Sequence, residues 1–184
     1  MRTFIAIELP EPVKEALGAL SRRLQRPGER VTWVPADRIH LTLRFLGEID
    51  QEAIAKLSAI LSDEYAGMAP FALSVAEVGA FPNVRRPSVI WAGVGPVDGG
   101  VQAAHEVAEQ AARAIGLPAE KKAFRPHLTL ARIRDRRAAS ALTARLEAER
   151  GFVGGEFNVG RVSLFSSELT PKGPIYRRLG EFPS

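Results

Sequence analysis

The sequence predicts an α+β protein built twice over, two lobes of mainly antiparallel sheet facing each other across a central groove, with helices on the outside. Three observations predict it. The tetrapeptide His-Leu-Thr-Leu occurs at His40–Leu43 and again at His127–Leu130, using two of the three histidines in the chain. Each copy sits in the same succession of strand, helix, motif strand, helix and strand, so the chain reads as one plan repeated. No low-complexity stretch or long linker separates independent units, so the 184 residues, Met1–Ser184, are expected to form a single domain of two pseudo-symmetric lobes.

The elements follow in order. Phe4–Leu9 alternates apolar and small residues as a strand and is closed by Pro10. Over Glu11–Leu24, Val13, Leu17, Leu20 and Leu24 recur at spacings of three and four, which puts them on one face of a helix. A turn at Pro27-Gly28 leads to Val31–Val34, and the first motif strand is predicted over Ile39–Leu46. Asp50 has the residue type and place of an N-cap for a helix reaching about Glu64, its buried stripe being Ile54, Leu57, Ile60 and Leu61. Strands at Phe71–Ala80 and Ser88–Val94 are joined by a turn, Phe81–Pro87, that carries Arg85 and Arg86.

The second half begins its helix near Gly99 and ends it at Ile115, where Gly116 and Pro118 stop it. The second motif strand is predicted over His127–Arg134, then a helix over about Arg137–Glu149, ended by Gly151. Strands at Phe157–Leu169 and Ile175–Phe182 close the chain.

Composition narrows the chemistry. With 46% hydrophobic and 25% charged residues, a core of ordinary size is within reach without staples. Cysteine is absent, which removes disulfides, thiol nucleophiles and cysteine metal sites together. No apolar run approaches membrane-spanning length and the first ten residues do not read as a signal sequence, so a cytoplasmic protein without membrane contact is expected. A net charge of +4, from 25 Lys and Arg against 21 acidic residues, favours anionic ligands without naming one.

The motif itself points to acid–base chemistry. Along a strand, His and Thr two residues apart share a face while the two Leu share the other. Each copy therefore offers one imidazole and one hydroxyl to a common surface and anchors itself through its leucines. Breaking a phosphodiester needs a proton taken from the nucleophile and another given to the leaving oxygen, and two imidazoles with pKa values near 6.5 supply both near neutrality. Threonine hydroxyls suit non-bridging phosphate oxygens. No Asp/Glu-His spacing suited to metal ligands is present, so no metal and no cofactor is expected.

On the segments Arg2–Pro10, Trp33 with His40–Glu48, Phe124–Arg132, and the tail residues Leu164, Ser167, Tyr176, Leu179, Phe182 and Pro183, the chain resembles the 2H phosphoesterase superfamily. Within it, the likeness is to the bacterial and archaeal RNA 2′,3′-cyclic phosphodiesterases, also called 2′–5′ RNA ligase-like proteins, over nearly the whole length. The resemblance implies hydrolysis of a terminal RNA 2′,3′-cyclic phosphate to a 2′-phosphate without metal or nucleotide. It implies His40 as proton donor, His127 as proton acceptor, and Thr42, Thr129 and Arg132 on the phosphate. The partner implied is RNA with a cyclic phosphate end, and no obligate protein partner is evident.

Strand parity complicates the arginines. Arg44 has the parity of His40 and Thr42 and so is a weaker groove candidate, whereas Arg132 has the opposite parity to His127 and needs a bulge or a strand end to turn inward. Arg85 and Arg86, on a turn between strands, are candidates to receive RNA backbone, and a solvated turn explains them equally well. Phe4, Trp33, Phe81 and Tyr176 are aromatic candidates for stacking on a base, though core packing suits most of them. Phe45, of leucine-face parity, is expected in the core, and His105 is expected to be an ordinary surface or half-buried residue. Two alternatives stand beside hydrolysis: 2′–5′ RNA joining driven by the cyclic phosphate, and a module that binds RNA 3′ ends without turnover. Smaller cyclic phosphates, such as an ADP-ribose cyclic phosphate, remain open as substrates.

Overall fold

A computed structural model of the protein describes residues 1–97, 99–171 and 173–183, the side chain of Arg136 excepted; Ser184, the end of the expected domain, lies outside the described residues. In chain order the elements are β1 (Arg2–Glu8), α1 (Glu11–Leu24), β2 (Val31–Trp33), a 3-10 turn (Ala36–Arg38), β3 (His40–Glu48), α2 (Gln51–Ala66), β4 (Phe71–Phe81) and β5 (Val89–Gly95). They continue with α3 (Gly100–Ala114), β6 (His127–Ile133), α4 (Arg136–Ala148), β7 (Val153–Val159), β8 (Val162–Thr170) and β9 (Gly173–Phe182).

All nine strands join one antiparallel sheet in the order β7-β4-β5-β6-β3-β1-β8-β9, with β2 taking a second place on β6. The two motif strands, β3 and β6, meet at its centre through a single aligned pair, Leu41 opposite Leu128. Beyond that pair the edge of β6 passes to β2. The predicted lobes are therefore the two wings of one sheet, joined at a narrow seam.

The wings are not the two halves of the chain. Strand β4, from the first half, pairs with β5, while β8 and β9 return from the far end of the sequence to extend β1. This exchange corrects one expectation. The run predicted as a single strand over Phe157–Leu169 is two strands, broken at Gly160 and Arg161, with β7 on β4 at one edge and β8 on β1 in the other wing. The apolar positions change phase there, Phe157 and Val159 being two apart but Val159 and Val162 three, so the sequence itself marks the break that the separate partners impose. The start of β7 is hidden, because its first residues include Gly154, where a Cβ would stand 2.8 Å from Val75 Cγ1. Close approach of the strands demands glycine there.

The helices cover the face that carries the motif leucines. Leu41, Leu43, Leu128 and Leu130 are buried, as is the predicted α1 stripe of Val13, Leu17, Leu20 and Leu24. Asp50 caps α2 by accepting from the Ala53 N–H at 2.8 Å, and Asp135 caps α4 through Arg137 N–H at 3.0 Å. In α2, Leu57 and Leu61 are buried and Ile54 and Ile60 are partly so. The stripe ends in Tyr65, whose hydroxyl donates to the Ala104 carbonyl at 2.7 Å and so ties α2 to α3. Burial raises that phenol's pKa and keeps it neutral. No described helix is long and apolar enough to cross a membrane.

Candidate active site

With its helices on one side, the sheet leaves the His and Thr positions of both motifs on the other. Leu41 and Leu128 hold the same place in their tetrapeptides, so pairing them antiparallel makes a local two-fold axis. Continuing that register turns His40 toward Thr129 and His127 toward Thr42. All four side chains are half-buried, in contrast to the buried leucines between them. The shared surface expected from the repeat is thus assembled at the seam.

The repeat is longer than four residues. Arg38 stands two before His40 and Arg125 two before His127, and each supplies a backbone carbonyl to the ring that follows. His40 Nδ1–H donates to Arg38 O at 2.9 Å, and His127 Nδ1–H donates to Arg125 O at 2.7 Å. A carbonyl only accepts, so both neutral rings carry their proton on Nδ1 and keep Nε2 as the free acceptor. Both imidazoles are oriented by the chain immediately before them.

Their surroundings differ. His40 stacks on Phe4 at 4.7 Å between ring centres and meets Tyr176 edge-on at 5.3 Å. Burial lowers its pKa below the ordinary 6.5, against smaller raising effects from the Arg38 carbonyl and the Glu8 carboxylate. Glu8, aligned with His40 across β1 and β3, is itself held by Ser163 at 2.9 Å and Arg178 at 3.0 Å. His127 meets Phe81 edge-on at 5.1 Å. Phe81 also packs against Trp91, which lies opposite Thr129 and covers Gly79.

A bulge in each motif strand decides where the arginines go. In β3, Ala6 pairs with Thr42 and Ile5 with Arg44, leaving Leu43 as the extra residue. In β6, Trp91 pairs with Thr129 and Ile90 with Ala131, leaving Leu130 as the extra residue. Side-chain parity reverses after each bulge. Arg132 is thereby turned to the same face as His127 and Thr129 and is exposed there, the condition its sequence position required.

The same bulge overturns two expectations on β3. Arg44 does not face the groove: it is 8% exposed and lies on the helix side, paired with Glu109 and Glu120. Phe45 is not core: it is 55% exposed, turned toward Phe4 at 6.0 Å between ring centres. Parity counted from the histidine fails at both residues for one reason, the inserted Leu43.

A bulge leaves a carbonyl without its ladder partner. In β6 the Leu130 carbonyl accepts from Val34 N–H at 2.8 Å. In β3 the Leu43 carbonyl accepts from His105 Nδ1–H at 2.9 Å, and the same ring stacks on Phe124 at 4.0 Å with planes 2° apart. His105 is half-buried as expected, but it joins the first motif strand to the segment that introduces the second. Its sequence signal was absent, since nothing local couples residue 105 to residue 43.

Of the remaining candidates, Trp33 packs partly buried against the core. Arg85 and Arg86 are exposed on their turn, their backbone N–H groups held by Asn83 Oδ1. A hollow of about 280 Å³ opens beside His40, bounded by Phe4, Arg38, Phe165, Ile175 and Tyr176 among others. A larger one of about 450 Å³ lies between α1 and the α4–β7 turn and holds no histidine. Among the described residues, no three His, Asp or Glu side chains are grouped to hold a metal ion.

Comparison with known proteins agrees with this geometry. The family model described as LigT-like phosphoesterase matches the chain twice, over residues 7–91 and 94–176, one match for each motif. A Thermotoga maritima protein named RNA 2′,3′-cyclic phosphodiesterase is 34% identical over 98% of this chain and 94% of its own. An Archaeoglobus fulgidus protein of the same name is 34% identical over 99% of both chains. Among solved structures, TT0787 of Thermus thermophilus superposes with a TM-score of 0.81 at 32% identity, covering 99% of this chain and 97% of that one. Escherichia coli LigT complexed with 3′-AMP has a TM-score of 0.78 at 25% identity, over 98% and 95% of the two chains.

Proposed function

The chain belongs to the LigT-like phosphoesterase family, and from that premise we propose that it hydrolyses the terminal 2′,3′-cyclic phosphate of RNA to a 2′-phosphate, in the cytoplasm and without a metal. The observation that carries the reading is the pair of imidazoles at the seam, each with Nδ1 engaged by a backbone carbonyl and Nε2 left for chemistry. In the proposed step, water attacks phosphorus as His127 Nε2 takes its proton. The bond from phosphorus to O3′ breaks, and His40 Nε2–H gives its proton to that oxygen. The products are a 2′-phosphate and a 3′-hydroxyl. The Thr42 and Thr129 hydroxyls donate to the non-bridging oxygens, and the Arg132 guanidinium offsets their charge as it builds.

One observation favours the opposite polarity in the unliganded protein. Burial holds His40 below its ordinary pKa, which suits a base better than an acid. An arriving phosphate anion draws a proton onto that ring, so the donor role requires His40 to be charged by the substrate it meets. A substrate with sulfur at the 3′ bridge discriminates, because its leaving thiolate needs no donor. It is expected to restore turnover to His40→Ala and not to His127→Ala; the reverse result exchanges the two roles.

The primary test incubates EDTA-treated protein with a short RNA ending in a 2′,3′-cyclic phosphate, beside the two alanine variants, and identifies the position of the product phosphate. Wild type is expected to yield the 2′-phosphate, with each variant slower by roughly 10²–10⁴-fold. Intact but bound RNA would make the protein an end-binding module, and a 2′–5′ joined product would make joining its reaction.

A further inference from the structure

Several arginines of this protein, among them Arg23, Arg44, Arg145 and Arg178, are matched by carboxylates. Arg2, Arg38 and Arg132 are different. They come from β1, from the 3-10 turn and from β6, and none forms an ion pair among the described residues. Yet all three lie near enough to act on one group, the Tyr176 hydroxyl, whose ionisation they favour while burial opposes it more strongly. Positive charges gathered from separate elements repel one another unless an anion arrives.

The cluster is placed by the sheet. Arg2 shares the parity of Phe4 on the unbroken strand β1, and Phe4 faces His40. The Arg38 guanidinium lies against the tip of the β8–β9 hairpin, with Nη1 3.3 Å from where a Cβ would stand on Gly173. Tyr176, on that hairpin, packs edge-on to both Phe4, at 5.2 Å, and His40, at 5.3 Å. The Tyr176 ring therefore lies against the candidate proton donor, on the same hairpin that the Arg38 guanidinium touches.

We propose that Arg2 and Arg38, with the Tyr176 hydroxyl, form a second phosphate subsite, which holds the internal phosphodiester that precedes the cyclic end. The preferred substrate is then an RNA chain, and a free nucleoside 2′,3′-cyclic phosphate, which has no such phosphodiester, is a poor one. The inference rests on the cyclic phosphodiesterase reading above. Guanidinium forks and a phenol donor match a phosphodiester's two free oxygens, and an aromatic wall beside them accommodates the sugar or base between the two phosphates.

The test compares kcat/KM for a nucleoside 2′,3′-cyclic monophosphate with that for a dinucleotide ending in the same group. It uses wild type, Arg2→Gln, Arg38→Gln, and Arg22→Gln as a control that loses an exposed charge on α1 away from the groove. Wild type is expected to favour the dinucleotide by about tenfold, and each of Arg2→Gln and Arg38→Gln to cut that ratio by about fivefold through KM. Arg22→Gln should keep the ratio. The salt dependence of binding to the 2′-phosphate dinucleotide product should also be shallower in the two subsite variants, by about 0.7 in log–log slope for each guanidinium removed. Equal ratios in wild type and both subsite variants overturn the subsite while leaving the hydrolytic reading intact. No turnover of either substrate by wild type overturns that reading and the subsite with it.

Discussion

Replacing Arg44 by methionine separates a buried structural cation from a groove-facing phosphate ligand, and the structure sets the size of the effect. The guanidinium donates from Nη1 to Phe45 O at 2.6 Å and Glu120 Oε2 at 3.1 Å, and from Nη2 to Pro118 O at 2.6 Å. Its Nε lies 2.6 Å from Glu109 Oε2. Methionine keeps much of the volume, so the loss is chiefly electrostatic. Removing one partner of a buried pair costs about 3–5 kcal/mol. Glu109 is 20% exposed and Glu120 41%, so both recover some water, and the lower end, about 3 kcal/mol, applies here. For a chain of this size that is a fall in Tm of roughly 6–12 °C. Urea unfolding followed by circular dichroism measures the free energy and a thermal melt the Tm, with KM for the cyclic substrate taken on the folded variant. Adding Glu109→Gln should return about 1–2 kcal/mol, because the stranded carboxylate is then neutral. A Tm within about 1 °C of wild type together with a several-fold higher KM would refute the assignment and put Arg44 back on the phosphate.

The other predictions concern the site and its supports. The half-buried His40 ring, whose pKa desolvation lowers, predicts a pH effect on stability. The unfolded chain takes up a proton at the ordinary 6.5 while the native ring resists until lower pH, so stability is fully present above 6.5 and declines as pH falls through the native value. Urea titrations between about pH 5 and pH 8 should show that decline in wild type and a shallower one in His40→Ala; identical profiles would mean the ring is not shielded. NMR titration should also move the His40 value upward when a 2′-phosphate product is bound. His105→Leu orphans the Leu43 carbonyl at the bulge and should cost about 1–3 kcal/mol in unfolding free energy and lower kcat more than it raises KM. Gly79→Ala sets a methyl 2.3 Å from Trp91 Cζ2, so it should destabilise by about 1–3 kcal/mol and shift tryptophan fluorescence; unchanged spectra would show that the indole does not lie there.

What was legible in the sequence was what neighbouring residues impose on one another. The α1 stripe, the Asp50 cap and the alternation of each motif are contained within a few residues, and each appears in the structure as written. The repeated tetrapeptide also foretold a shared surface, because equal motifs in a duplicated plan are brought together by pseudo-symmetry. Arg132 was reachable only as a conditional, inward if a bulge intervened. Arg44 and Phe45 were misplaced because parity was carried through a bulge that no residue of β3 announces.

Local chemistry along the chain thus specifies the α+β class, the helical faces, and two imidazole–hydroxyl strands with their leucines set for burial. Folding in three dimensions settles which strands become neighbours: that β7 and β8 part to opposite wings, that Leu43 and Leu130 bulge, and that His105 reaches across to a carbonyl sixty-two residues away in sequence. It also brings the Arg38 guanidinium against the hairpin that carries Tyr176. The difference is one of range. Side-chain periodicity and capping act over a turn or a few strand residues, whereas bulges, edge exchange and hairpin contacts are set by partners that only the closed sheet brings within a few ångströms.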